Sequence, residues 1–276
     1  GINRQSKDVL IETISQDLSL GLSAHMIFPV MSDSEKDHEG TMAADDGMPL
    51  QSAVRDLKEK FGDEILLMTD ACLCTSTDHG HCGLLEGHTI LNDLSVEKLV
   101  EIALSHARAG TDYVCLSDMM DGRVLSVRRS FENEGFKSTG IMSYSVKYAS
   151  SFYGPFREAA SSSPSFGDRS SHQMDVRSDY REAILEARAD VNEGCDISMV
   201  KPGLPYLDVL SEVSSNIERP VAVYNVSGEY SMVMGYAKDP EQRKRVVLEI
   251  LGSFSRAGAD IIVSYHSREA VREGWV

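Results

Sequence analysis

Seven short apolar runs, near residues 26, 66, 114, 142, 198, 222 and 262, alternate with helix-periodic stretches along this chain. Short runs of this kind, each followed by an amphipathic segment, indicate βαβ units and a parallel sheet. Asp8 to Leu20 reads as the first helix, with Val9, Ile11, Ile14, Leu18 and Leu20 near one face. Further helices are expected over Pro49–Phe61, Ser95–Ala109, Arg123–Phe136, Ser178–Glu193, Tyr206–Asn216 and Pro240–Ala257, with Ser95 as an N-cap. The strands fall at Ala24–Val30, Glu64–Thr69, Tyr113–Leu116, Gly140–Ser143, Ile197–Val200, Val221–Tyr224 and Ile261–Ser264. Such regular alternation predicts a TIM (β/α)₈ barrel over residues 1–276, an α/β fold in a single domain and one strand short, rather than an open sheet. The acidic stretch Ser32–Asp46 is expected as an exposed loop. The Ser-rich connection 149–173 lacks helical period and reads as a lid over a site.

Charge narrows the partners. Forty-three acidic against 27 basic residues give −16, a surface that repels nucleic acid and anionic membrane faces. No apolar run approaches the roughly 18 residues of a membrane helix. The start, Gly1-Ile2-Asn3-Arg4-Gln5, lacks the apolar core of a secretory signal. Five cysteines are too few and too odd for a disulfide scaffold, so a reducing compartment is expected. Cys115 and Cys195 stand in apolar contexts and read as core.

In barrels of this type, chemistry collects at the C-terminal ends of the strands. Cys72 and Cys74 are two apart, and Cys82 returns through the glycine-bearing loop Asp78-His79-Gly80-His81-Cys82-Gly83. Three thiolates leave one tetrahedral position for water or substrate, which suits a catalytic zinc. Two other readings stand beside it: buried apolar cysteines, or a structural site completed by His79 or His81. His88 reads as a surface or packing histidine. Lys147 and Lys201 each follow a strand. An amine in an apolar mouth has a lowered pKa and can form a Schiff base, and a second cation lowers it further. Solvated strand tips are the plainer alternative. Arg157, Arg169 and Gln173 lie on the 149–173 connection, where guanidinium forks would hold a substrate carboxylate. Surface salt bridging is the alternative there.

Five ordered motifs carry a resemblance. They are Asp70-Ala71-Cys72-Leu73-Cys74 with His79-Gly80-His81-Cys82-Gly83, then Ser117-Asp118-Met119-Met120-Asp121-Gly122-Arg123, then Lys147 with Phe152-Tyr153-Gly154-Pro155-Phe156-Arg157, then Met199-Val200-Lys201-Pro202-Gly203, and last Val226-Ser227-Gly228-Glu229-Tyr230. From about residue 8 onward the chain resembles the porphobilinogen synthase (delta-aminolevulinic acid dehydratase) family. The resemblance implies a hydro-lyase of tetrapyrrole, haem and chlorophyll biosynthesis, condensing two 5-aminolevulinate molecules to porphobilinogen with loss of two waters. By it, Lys201 and Lys147 form the two Schiff bases. Ser227 and Tyr265 hold the first substrate's carboxylate, and Arg157, Arg169 and Gln173 the second's. Asp70, Ser117 and Tyr153 line the pocket, and Cys72, Cys74 and Cys82 bind zinc. Glu186 matches an allosteric magnesium ligand, against the plainer reading of a helix-surface glutamate. The family forms a homo-octamer through an N-terminal arm. That arm and the first strand are expected to be lacking here. Cytoplasm or plastid is the expected location, not secretion. Met174 to Arg177 and His266 depart from the family pattern. Two alternatives remain: a class I Schiff-base aldolase, which uses one lysine and leaves three cysteines unexplained, and a non-enzymatic metal-binding or subunit-interaction remnant.

Overall fold

The computed structural model describes residues 3–276. Its strands are β1 (Ala24–Ile27), β2 (Leu66–Ala71), β3 (Leu85–Glu86), β4 (Thr89–Ile90), β5 (Tyr113–Leu116), β6 (Gly140–Lys147), β7 (Ile197–Lys201), β8 (Val221–Asn225) and β9 (Ile261–Ser264). Seven of these form one sheet in the order β1-β2-β5-β6-β7-β8-β9, every neighbouring pair parallel. The short β3–β4 hairpin stands apart.

The helices are α1 (Lys7–Ser19), α2 (Pro49–Phe61), α3 (Asn92–Ala109), α4 (Arg123–Glu134), α5 (Gly154–Ala159), α6 (Tyr180–Glu193), α7 (Leu207–Asn216), α8 (Ser227–Tyr236), α9 (Pro240–Arg256) and α10 (Ser267–Arg272). All seven expected strands are present. Together they make a nearly closed barrel, as the alternation predicts.

Period-two alternation sorts the strand residues between two sides. Met68, Cys115, Met142, Tyr144, Ile197, Met199, Ala222 and Tyr224 fill the interior. Val114, Leu116 and Ile141 face outward to Ile102 of α3 and Val124, Val127 and Phe131 of α4. Val200, Val221 and Val223 meet Ala183, Leu210, Val213 and Phe254. Phe131 and Phe254 are fully buried; truncating either to alanine would cost about 3–5 kcal/mol. Cys115 and Cys195 are core, as expected.

The barrel has a seam. Among the described residues, β1 pairs only with β2, and β9 only with β8. Between them lies a cavity of about 840 Å³, lined by both strands and by α1. Arg268 of α10 reaches across to Asp17 of α1 at 2.6 Å. A seven-stranded sheet with two free edges agrees with a barrel one strand short.

Several local expectations need correction. α3 begins at Asn92 after Leu91, not at Ser95. The Ser95 hydroxyl instead donates to the Leu91 carbonyl and accepts from the Leu84 amide, tying the helix to the preceding loop. The 32–46 stretch is less exposed than its acidity suggests. It holds two 3₁₀ turns, and Gly40 and Ala43 are buried. The 149–173 connection contains a 3₁₀ turn and α5 before it becomes irregular. α8, α10 and the β3–β4 hairpin are additions to the expected elements.

Candidate active site

β6 and β7 bring the two lysines side by side. Their register runs Met142 to Ile197 and Ser143 to Ser198, then slips to Val146 with Val200 and Lys147 with Lys201. β6 therefore carries one extra residue, a β-bulge, and a bulge reverses side-chain parity beyond it. Before it, Met142 and Tyr144 face the interior. After it, Val146 packs outward against the helices and Lys147 turns inward. β7 has no break, so Ile197, Met199 and Lys201 share the inward face.

Lys201 sits in a cage of rings. Its Nζ lies 4.4 Å from the centroid of Tyr224, 4.9 Å from Tyr144, 5.2 Å from Tyr153 and 5.6 Å from Phe156. Burial in this cage pulls the amine down, the Lys147 cation adds to the effect, and Asp70 opposes it; the result is about 7. Lys147 donates from Nζ to the Ser117 carbonyl and stands 5.7 Å from the Tyr144 ring. Burial raises the Asp70 carboxyl, against the pull of Lys201, a Ser117 hydrogen bond and Lys147.

Glu229 holds the turn after Lys201 in place. Fully buried, it accepts from the amides of Gly203 (3.1 Å), Leu204 (2.8 Å) and Val226 (3.0 Å), and from Asn225 Nδ2 (2.7 Å). One carboxylate at the start of α8 thus ties the ends of β7 and β8 together. Opposite, the Tyr153 hydroxyl donates to the Tyr148 carbonyl at 2.8 Å, which makes Tyr153 a fixed wall beneath Lys201.

A small cavity of about 20 Å³, room for roughly one water, is bounded by Phe28, Asp70, Cys74, Ser117, Lys147, Tyr153, Phe156, Arg157, Arg169 and Lys201. Eight of these ten were candidates from sequence. Ser227 and Tyr265 line the larger seam cavity instead, whose wall shares Phe28, Asp70 and Phe156 with the small one. Ser227 Oγ accepts the Phe156 amide at 3.0 Å, and Tyr265 receives the Tyr224 hydroxyl at 3.3 Å.

The 149–173 connection lies over the mouth. Arg169 is buried and donates to the carbonyls of Gly80 (2.9 Å) and Ser162 (2.5 Å). Its Nε, Arg157 Nε and both polar atoms of the Gln173 amide are buried without hydrogen-bond partners. Unmet donors of this kind are costly unless a ligand completes them. Gly80 permits the close docking. Its φ of +69° lies in the region that favours glycine, and a Cβ there would sit 2.3 Å from the Ser163 carbonyl oxygen. His81 Nε2 meets the Phe166 carbonyl at 3.1 Å, and His88 packs edge-on to Phe166, its ring 4.5 Å away.

The sulfurs of Cys72, Cys74 and Cys82 are buried and all lie within 4.8 Å of one another. Cys74 arrives on a 3₁₀ turn (Leu73–Thr75) rather than in extended chain. All three are free thiols. Hydrogen bonds from Cys72 and Cys74 hold the Cys82 thiol well below its ordinary value despite burial, helped by Arg169. Three convergent soft donors suit a thiophilic metal, so the residues fit a metal site. Neither His79 nor His81 joins this group. A second group, His38, Asp78 and His79, is mostly exposed, and both His79 nitrogens already face backbone partners.

Glu186 lies elsewhere, half-buried on α6, where Asp190, Arg123 and Asp121 act on it. Among the described residues it joins no group of three possible metal ligands. Sequence reasoning gave no role to Tyr144, Tyr224, Phe156 or Glu229, although Phe156 and Glu229 stand inside its motifs. The usable signal for the two tyrosines was alternation, since each stands at an inward strand position close to the mouth.

Comparison with known proteins agrees with this geometry. The family model described as delta-aminolevulinic acid dehydratase matches residues 1–273. The delta-aminolevulinic acid dehydratase of Bacillus subtilis (strain 168) is 45% identical over 272 residues, covering 98% of this chain and 83% of that protein. That of Methanothermus sociabilis is 46% identical over 273 residues, covering 99% and 84%. The crystal structure of the Toxoplasma gondii ME49 enzyme, in complex with its reaction product porphobilinogen, superposes with a TM-score of 0.95 at 43% identity, covering 98% of this chain and 77% of that one. An aldolase at 11% identity and TM-score 0.52 shares the fold alone. With its paired inward lysines and a match along nearly its whole length, the chain belongs to the delta-aminolevulinic acid dehydratase family.

Proposed function

We propose that this chain is a porphobilinogen synthase, condensing two molecules of 5-aminolevulinate to porphobilinogen with release of two waters, a step of tetrapyrrole biosynthesis. The observation that carries the reading is the Lys147–Lys201 register pair opening into one cavity. Two ketone substrates need two amines, and a single-lysine aldolase would not.

Lys201, partly neutral near pH 7, attacks the ketone carbon of the first substrate. The carbonyl oxygen leaves as water and an imine forms. Lys147 does the same with the second substrate. Each imine withdraws electrons, so the adjacent carbon gives up a proton and becomes a nucleophile. Carbon–carbon bond formation joins the two substrates, and one substrate's amino group displaces a lysine to close the ring. Both lysines leave as free amines, and the two ketone oxygens account for the two waters.

Asp70, Ser117 and Tyr153 face the reacting atoms from the cavity wall. Arg157, Arg169 and Gln173 take the carboxylate of the second substrate, a role supported by their unpartnered polar atoms. Ser227 and Tyr265 take that of the first, from the seam side. Cys72, Cys74 and Cys82 would hold zinc, which supplies a Lewis acid and lowers the pKa of bound water. Glu186 as a magnesium ligand and assembly into a homo-octamer rest on family likeness; magnesium titration of activity and the solution mass test them.

Borohydride reduction in the presence of 5-aminolevulinate is the direct experiment. Both Lys201 and Lys147 should carry substrate mass, and Lys201→Ala should abolish turnover. Labelling of neither lysine refutes the reading. One trapped equivalent with no effect of chelators would favour a class I aldolase.

A further inference from the structure

We propose that His172, on the 149–173 connection, supplies a fourth donor to the metal held by Cys72, Cys74 and Cys82 when that connection lies closed. This rests on reading the three cysteines as a metal site. His172 is not among the residues that the sequence motifs pick out. Its Nδ1 meets Ser171 Oγ at 3.1 Å. Its Nε2 is buried with no well-formed hydrogen bond, and the ring lies within reach of the Cys82 sulfur. A buried, unpartnered imidazole nitrogen beside three gathered thiols is the usual complement of a tetrahedral site.

The backbone explains why it is there. The His172 and Gln173 amides both donate to the Arg169 carbonyl, at 3.3 and 2.9 Å, so residues 169–173 form one turn. Arg169 is fastened to the Gly80 carbonyl, two residues from Cys82. At the other end, Met174 bridges to β6 beside Lys147, its amide donating to the Lys147 carbonyl at 3.0 Å. The docking that carries Arg169 inward therefore carries His172 to the sulfurs. The competing histidine, His81, is engaged with Phe166 through both its Nε2 and its ring. His172 lies outside the tight group of three sulfurs, so it is an exchangeable ligand. It would cap the metal while the connection is docked, and where it is not bound that position would be open to water or substrate.

The full chain loaded with zinc or cobalt tests this without measuring turnover. X-ray absorption of the zinc protein should show three sulfurs and one nitrogen with imidazole outer-shell scattering. His172→Ala should replace that nitrogen by oxygen, alter the cobalt d–d bands, and weaken metal binding by about tenfold or more in a chelator competition. Added imidazole should restore the nitrogen signal, and His81→Ala should leave it unchanged. Three sulfurs with oxygen in both wild type and His172→Ala overturn the inference alone. Absence of bound metal, or fewer than three sulfurs, overturns the metal reading and the inference together.

Discussion

Lys201→Met is expected to abolish the activity and stabilise the fold. Methionine nearly preserves the volume and removes the charge that the aromatic cage resists. The Lys201 amine falls from 10.5 to about 7 in the folded protein, and every tenfold change in a protonation equilibrium corresponds to about 1.4 kcal/mol. The folded value lies below the unfolded one, so the unfolded chain binds more protons between those two values. Stability therefore rises with pH across that window and is lowest below it. Linkage puts the cost of carrying this lysine at about 4 kcal/mol at pH 7 and about 1.5 kcal/mol at pH 9.5. Asp70 loses an opposing charge in the variant, which reduces the net gain at both pH values. The informative quantity is the difference between them, about 2–3 kcal/mol. Urea unfolding of wild type and variant at the two pH values, followed by circular dichroism, reads it directly. A stability difference that does not change with pH would refute the account of Lys201 as a desolvated amine.

Other outcomes follow from the same geometry. Burial raises the Asp118 carboxyl to about 6, against the pull of Arg123, so folding favours its protonated form and its contribution to stability falls as pH rises from about 4 to 6. Asp118→Asn should flatten that fall in thermal melts at the two ends of the range. Glu229→Ala strips four donors of their acceptor; it should cost about 3 kcal/mol or more in urea unfolding and lower kcat by displacing Lys201. Cys82→Ala should reduce bound metal from one equivalent to near none by elemental analysis, because two thiols alone make a poor tetrahedral site.

Much of the barrel was legible because its signal is local. An apolar tetrad bounded by polar residues and followed by a 3.6-period stretch forms a strand and a helix almost wherever it sits, and all seven strands were located this way. The polar residues after those strands had to gather at one end, since parallel strands share a direction. That is why both lysines, and the strand-end positions of Asp70 and Ser117, were found; Tyr153, on a turn beyond β6, came only through the resemblance. Ser95 shows the limit: it has a cap's chemistry, but the Leu84 and Leu91 backbone claimed its hydroxyl first.

By itself, the sequence determined which residue types stand at the strand ends and on the connections that follow them: two amines, three thiols and two guanidiniums, all consequences of short-range order. Only the tertiary structure decided which way they point and in what state. Simple alternation from Met142 and Tyr144 would turn Lys147 outward; one extra residue in β6, visible only in its pairing with β7, turns it in. The lowered Lys201 amine is likewise collective. It needs rings from β6, β8 and the 149–173 connection to exclude water, and a neighbouring cation brought by register. Desolvation and charge–charge interaction depend on distances through space, and no spacing along the chain encodes those.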